Sequence, residues 1–180
     1  MGRALIVYGT GEGHTEDVAE AMVQHMRGRG VTVDAVHVDD APPTPDGVNA
    51  VIVGSSIHVG KHNKQVVTWI EHNKEWLQSH PSAFFQVSIS SATGDADGQA
   101  QANSYIDELI NSTEWHPDLV GLFGGALLYT RYGFAKRTMM KTIAKKAGLD
   151  SDTHHDYDYT DYEAVRHFAD DVTALVNAAD

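Results

Sequence analysis

Five short runs of apolar, β-prone residues recur along the chain, at Ala4 to Tyr8, Val31 to Val38, Val48 to Gly54, Ala83 to Ile89 and Leu119 to Ala126. Between them the apolar positions fall every three to four residues, the spacing of one helix face. Val18, Met22 and Met26 mark a helix ending near Gly28 or Gly30, and Val66, Val67, Trp69, Ile70 and Leu77 mark another that His80-Pro81 stops. A short helix is expected around Tyr105 to Ile110, and Val165, Phe168, Ala169, Val172 and Val176 line one face of a last helix, Tyr162 to Asn177. Ser55 to Asn63 and Ser90 to Ala102 read as loops. Continuous apolar strands alternating with helices predict an α/β fold of three layers, a parallel sheet covered on both faces. Its ligand site is expected beyond the strand C-termini, in the loops after strands one, three and four.

The first of those loops carries the clearest chemistry. Strand one stops at Gly9-Thr10-Gly11-Glu12-Gly13-His14-Thr15 and a helical pattern starts at once. The first N–H groups of that helix have no internal partner and favour an anion, while the glycines let the backbone close around a phosphate and Thr10 and Thr15 add hydroxyls. A nucleotide-triphosphate loop is excluded, because Gly13 is followed by His14 rather than Lys-Ser or Lys-Thr. Gly9 and Gly11 fit two positions of a dinucleotide fingerprint, with Asp39 as its ribose acid, but His14 stands at the third. The loop has no Lys or Arg, and Glu12, Glu16 and Asp17 crowd it, so neutral donors would carry a monophosphate; an ordinary glycine-rich turn capped by Thr15 is the plain alternative.

The second loop, Ser55-Ser56-Ile57-His58-Val59-Gly60, offers apolar contact for a planar ring and a glycine whose peptide can turn toward it, as a flavin requires. His58 is a candidate for moving protons or for stacking, or is simply an exposed histidine. Ser88-Ile89-Ser90-Ser91-Ala92 offers hydroxyl and backbone groups to the polar edge of such a ring. With these three loops in this order the chain resembles the flavodoxin family. The resemblance implies strand order 2-1-3-4-5, FMN phosphate on Thr10, Gly11, Glu12, Gly13, His14 and Thr15, and the ring between the second and third loops. Ser82-Ala83-Phe84-Phe85, Asn103-Ser104-Tyr105, Trp115-His116-Pro117-Asp118, Gly125-Ala126-Leu127, Tyr129-Thr130-Arg131-Tyr132 and Tyr159-Thr160-Asp161 narrow it. They resemble the menaquinone-dependent protoporphyrinogen oxidases, which implies a two-electron FMN enzyme that takes a porphyrinogen and reduces a quinone. A flavodoxin-type electron carrier and a nicotinamide-fed quinone reductase stay open beside it. His58 stands where many carriers place a Trp, and Asp95 and Asp97 make the third loop acidic where those oxidases tend to be basic.

Residues 127–161 are extra to a minimal five-strand chain and hold six of the thirteen Lys and Arg residues. Arg137, Lys141 and Lys145 fall on one helical face, with Met139, Met140, Ile143 and Ala147 roughly opposite. Together with Arg131 this basic face is expected to meet an anionic substrate or a membrane surface, or else to be solvated while the apolar face packs on the sheet. His154-His155-Asp156 does not place a third metal ligand, so no metal is expected. The length of 180 residues suits one domain, and the absence of cysteine removes disulfides and thiol chemistry. A formal charge of −12 argues against nucleic-acid binding and suits a protein of concentrated salt. With no apolar span or leader the chain reads as cytoplasmic, at most peripheral to a membrane.

Overall fold

The computed structural model describes residues 2–179. The chain enters through β1 (Arg3–Gly9), turns into α1 (His14–Gly28) and returns to the sheet as β2 (Thr32–His37). β3 (Ala50–His58) is followed by the two-residue β4 (Lys61–His62), α2 (Lys64–His72) and α3 (Lys74–Ser79). β5 (Ser82–Ser88), the single turn α4 (Ile89–Ala92) and α5 (Ala96–Thr113) precede β6 (Leu119–Gly124). Beyond it lie β7 (Ala126–Leu127), α6 (Phe134–Lys146), β8 (Tyr157–Asp158) and α7 (Tyr162–Ala178).

The sheet runs β2-β1-β3-β5-β6 with every neighbour parallel, which is the expected order 2-1-3-4-5 once the short β4 is set aside. Alternation along β1 divides the core. Ala4, Ile6 and Tyr8 face α1 and α7 in one layer, and Leu5 and Val7 face Val66, Ile70, Ile106 and Trp115 in the other. A third, smaller cluster of Leu127, Tyr129, Tyr132 and Ala144 lies under α6.

Two expected loops are largely regular structure. Ser55 to His58 continues β3, with Ser55 paired to Gly9 and Gln86 and Ser56 to Val87. A serine is tolerated there because its hydroxyl is satisfied: Ser55 Oγ donates to the Ser56 carbonyl at 3.1 Å and accepts from the Asn63 N–H at 3.0 Å. Val59 and Gly60 then make a two-residue hairpin turn into β4, both at positive φ (49° and 74°). The second loop, Ser90 to Ala102, contains α4 and the first two turns of α5. Ser88 Oγ caps α4 through the Ser91 N–H at 3.1 Å, and Asp95 Oδ1 caps α5 through the Gly98 N–H at 2.8 Å. Asp95 also accepts from the Thr93 hydroxyl at 2.9 Å, and these bonds hold its carboxyl below the usual range. The helix expected around Tyr105 to Ile110 is therefore the middle of an eighteen-residue one. The helix expected over Val66 to Leu77 is two, parted at the buried Asn73, whose amide donates to the Trp69 carbonyl.

Candidate functional site

One end of the site is built by the turn from β1 to α1. Thr10 Oγ1 accepts from the Gly13 N–H at 2.9 Å, and Gly13 sits at φ 94°, a conformation that a side chain would strain. The first helical bond runs from Asp17 N–H to the Gly13 carbonyl. The amides of His14, Thr15 and Glu16 therefore have no acceptor of their own within the helix. Thr15 is 1% exposed and its Oγ1 is buried without a partner. The His14 ring reaches toward the approach to α7, with Nε2 2.7 Å from Thr160 Oγ1 and 3.3 Å from an Asp158 carboxylate oxygen.

A cleft of about 920 Å³ opens from this turn across the C-terminal ends of β1, β3 and β5. Gly11, Glu12, His14 and Thr15 line one end; Ser56, Ile57, His58, Val59 and Gly60 line one side, and Ser88, Ile89 and Ser90 the floor beyond. The other expected residues stand behind this lining and hold it. Thr10 and Gly13 shape the turn, Ser55 locks the hairpin, and Ser91 and Ala92 belong to α4, where Ser91 Oγ lies 3.0 Å from Ser88 Oγ. His58 packs its ring on the bare backbone of Gly11, where any Cβ would overlap it. Its Nε2 is buried without a hydrogen-bond partner, 3.8 Å from a Glu12 carboxylate oxygen, and burial pushes the imidazole below its usual pKa, toward the neutral form.

The segment after β6 closes the cleft, and it does so with a different face from the one expected. Met139, Met140 and Ile143 of α6 and Ala147 at its C-terminal end line the cleft, and only Ala144 of that helix is buried. The apolar stripe was legible in the sequence; what it faces was not. Arg137, Lys141 and Lys145 do not line the cleft. Arg137 instead satisfies main-chain carbonyls, donating from Nε to Tyr129 at 3.0 Å and from Nη2 to Tyr132 at 3.1 Å. The cations at the cleft are Lys136 and Lys146, and Lys136 forms an ion pair with Glu12. Arg131 reaches the phosphate turn itself, with Nη1 donating to the Glu12 carbonyl at 3.0 Å. Tyr105 and Tyr132 complete the walls. Among the described residues no group of three or more His, Asp or Glu side chains is placed to hold a metal.

The chain, whose parallel sheet has this order, matches a known family model over residues 5–154, described as the flavodoxin domain. The chain belongs to the flavodoxin domain family. Among its relatives, a protein of Leishmania major named protoporphyrinogen IX dehydrogenase [quinone] is 32% identical over 175 residues, 96% of this chain and 75% of that one. The protein of the same name from Escherichia coli K12 is 30% identical over 176 residues, 97% of both chains. Among solved structures, a short-chain flavodoxin associated with a PDU bacterial microcompartment matches the whole of both chains with a TM-score of 0.57 and 16% identity. Rubredoxin oxygen:oxidoreductase of Desulfovibrio gigas matches with a TM-score of 0.58 and 16% identity, over 98% of this chain and 36% of that one. Family membership indicates FMN as the cofactor, and the cleft fits it. The unpartnered Thr15 hydroxyl and the free amides of α1 suit a phosphate, and the volume exceeds what the phosphate alone would fill.

Proposed function

We propose that this flavodoxin is an FMN-dependent oxidoreductase that oxidises a porphyrinogen and passes the electrons to a quinone. The observation that carries the reading is the apolar wall of α6. An electron carrier needs only an exposed flavin edge, whereas here Met139, Met140 and Ile143 enclose room for an apolar partner beside the ring. The names of the Leishmania major and Escherichia coli relatives support the same substrate pair.

FMN, when bound, supplies a two-electron acceptor. The chain's own groups position and shield. Thr10 shapes the turn whose amides and Thr15 hydroxyl would hold the phosphate. Ser56 to Gly60 would flank the ring, and Ser88 to Ser90 would offer backbone groups to its polar edge. His58, set against Gly11 with its pKa lowered by burial, would stand between the β1–α1 turn and the ring side. Lys136 neutralises Glu12, which would otherwise repel both the phosphate and a carboxylate-bearing substrate.

The exposed Phe134 (87%) and Val59 (91%) stand near the cleft, and Lys141 and Lys145 lie on the same helix as Phe134 outside the cleft lining. This combination supports contact with an anionic lipid surface from which a quinone is drawn. Among the described residues no helix is long and apolar enough to cross a membrane.

The test is to load the protein with FMN in high salt, remove the excess, and supply protoporphyrinogen with a menaquinone analogue. Porphyrin appearing faster than in a protein-free control, with three quinols formed for each six-electron oxidation of porphyrinogen to porphyrin, is the expected result. Bound flavin without porphyrin would refute the substrate assignment in favour of a carrier, or of a reductase if NADH or NADPH bleaches the flavin. A protein that takes up no flavin would refute the proposal altogether.

A further inference from the structure

The phosphate turn has no Lys or Arg of its own, yet the fold brings one to it. Arg131 closes a 3₁₀ turn (Tyr129–Arg131) that is fixed on both sides. Tyr129 is fully buried with its hydroxyl donating to the Asp150 carbonyl at 2.9 Å, Thr130 donates to both oxygens of Asp156 at 2.9 and 2.7 Å, and Tyr132 is buried. From this anchored position the Arg131 guanidinium donates to the Glu12 carbonyl at 3.0 Å and lies 3.6 Å from where a Cβ on Gly13 would stand. It therefore lies against the turn that leads into α1, whose second residue carries the buried, unpartnered Thr15 hydroxyl.

Two cations reach the turn from the same segment, and their roles differ. Lys136 is paired with the Glu12 carboxylate. Among the described residues no carboxylate lies within 4 Å of the Arg131 guanidinium, and its single hydrogen bond leaves further donors free. A phosphate monoester carries between one and two negative charges near neutral pH, and a guanidinium matches it with paired N–H donors.

We infer that Arg131 is the cation of the phosphate site, binding the cofactor phosphate together with the α1 amides and Thr15, so that the segment after β6 forms part of the cofactor site as well as the substrate wall. The inference rests on the FMN reading of the cleft and adds a residue from outside the phosphate turn to it.

Riboflavin, which has the same ring and no phosphate, separates this role from any general one. Affinities of the apoprotein for FMN and riboflavin are measured by quenching of flavin fluorescence, for the unaltered chain, Arg131→Gln and Arg131→Lys. Arg131→Gln is expected to weaken FMN binding about tenfold and leave riboflavin binding unchanged, with Arg131→Lys in between. Added salt is expected to lower the FMN preference of the unaltered chain and to have little effect on that of Arg131→Gln. Equal losses for both flavins, or no loss for either, would overturn the assignment of Arg131 while leaving the cofactor in place. If the unaltered protein binds neither flavin, the cofactor reading falls first and this inference with it. Retained riboflavin binding shows that the variant is folded.

Discussion

Gly11 and His58 meet where the first and second loops of the cleft touch, and a substitution there has a predictable sign. A methyl group on Gly11 would overlap the imidazole, and the three nearest atoms to it, Nε2, Cε1 and Cδ2, all belong to His58. Gly11 is not among the residues at positive φ, so alanine suits its backbone and would by itself stabilise the fold by about 0.4–1 kcal/mol through the unfolded chain. Against this stands overpacking of about 1–3 kcal/mol, because the ring, 38% exposed, is displaced and loses its seat. Gly11→Ala is thus expected to destabilise the apoprotein by up to about 2.6 kcal/mol. In a His58→Ala background the obstacle is gone, and the same change is expected to stabilise by about 0.4–1 kcal/mol. Urea unfolding of the four proteins of this cycle, at a common m-value, measures the coupling. Equal effects of Gly11→Ala in both backgrounds would refute the contact as the cause.

Val59 is β-branched and held at φ 49° while 91% exposed, so Val59→Asn loses little buried surface, relieves the turn and is expected to add about 1 kcal/mol, read as a higher urea midpoint at unchanged m. Lys136→Met leaves the Glu12 carboxylate unpaired at the cleft and is expected to weaken FMN binding measured by fluorescence; Glu12→Gln in the same chain is expected to restore it, and failure to do so would refute the pairing. The phenols of Tyr8, Tyr159 and Tyr162 are each pushed up to about 12, by burial first and then by Glu16, Asp150 and Asp158 respectively. Because these folded values lie above the unfolded value near 10, their contribution is complete below pH 10 and drains away as the pH rises toward 12. Stability is therefore expected to fall over that window, in step with tyrosine ionisation followed by ultraviolet absorbance, and Tyr159→Phe is expected to make the fall shallower.

The layers of this fold were legible in the sequence for a physical reason: strands buried on both faces are continuous apolar runs, and Ala4 to Tyr8 or Ala83 to Ile89 leave no other reading. The turn from β1 to α1 was legible because its signal is local, with glycines, hydroxyls and a helix start within seven residues. Polar composition misled wherever the fold satisfies it internally. Ser55 lies inside β3, and Asp95 and Gly98 open a helix, because Asn63, Thr93 and one capping carboxylate take up the hydrogen bonds that a loop would have given to water. The period of α6 revealed two faces but not their neighbours, since a stripe of Met139, Met140 and Ile143 reads alike whether it meets a sheet or a cleft. Charge was harder still. Arg137, in line with Lys141 and Lys145 on the helix, is committed to two main-chain carbonyls, while Arg131 meets Glu12 across 119 residues of sequence. The parts shared across the fold are thus the local ones, and those that would distinguish an enzyme from a carrier are long-range contacts of the segment after β6. That segment is where substitutions should alter the choice of partner while leaving the sheet intact.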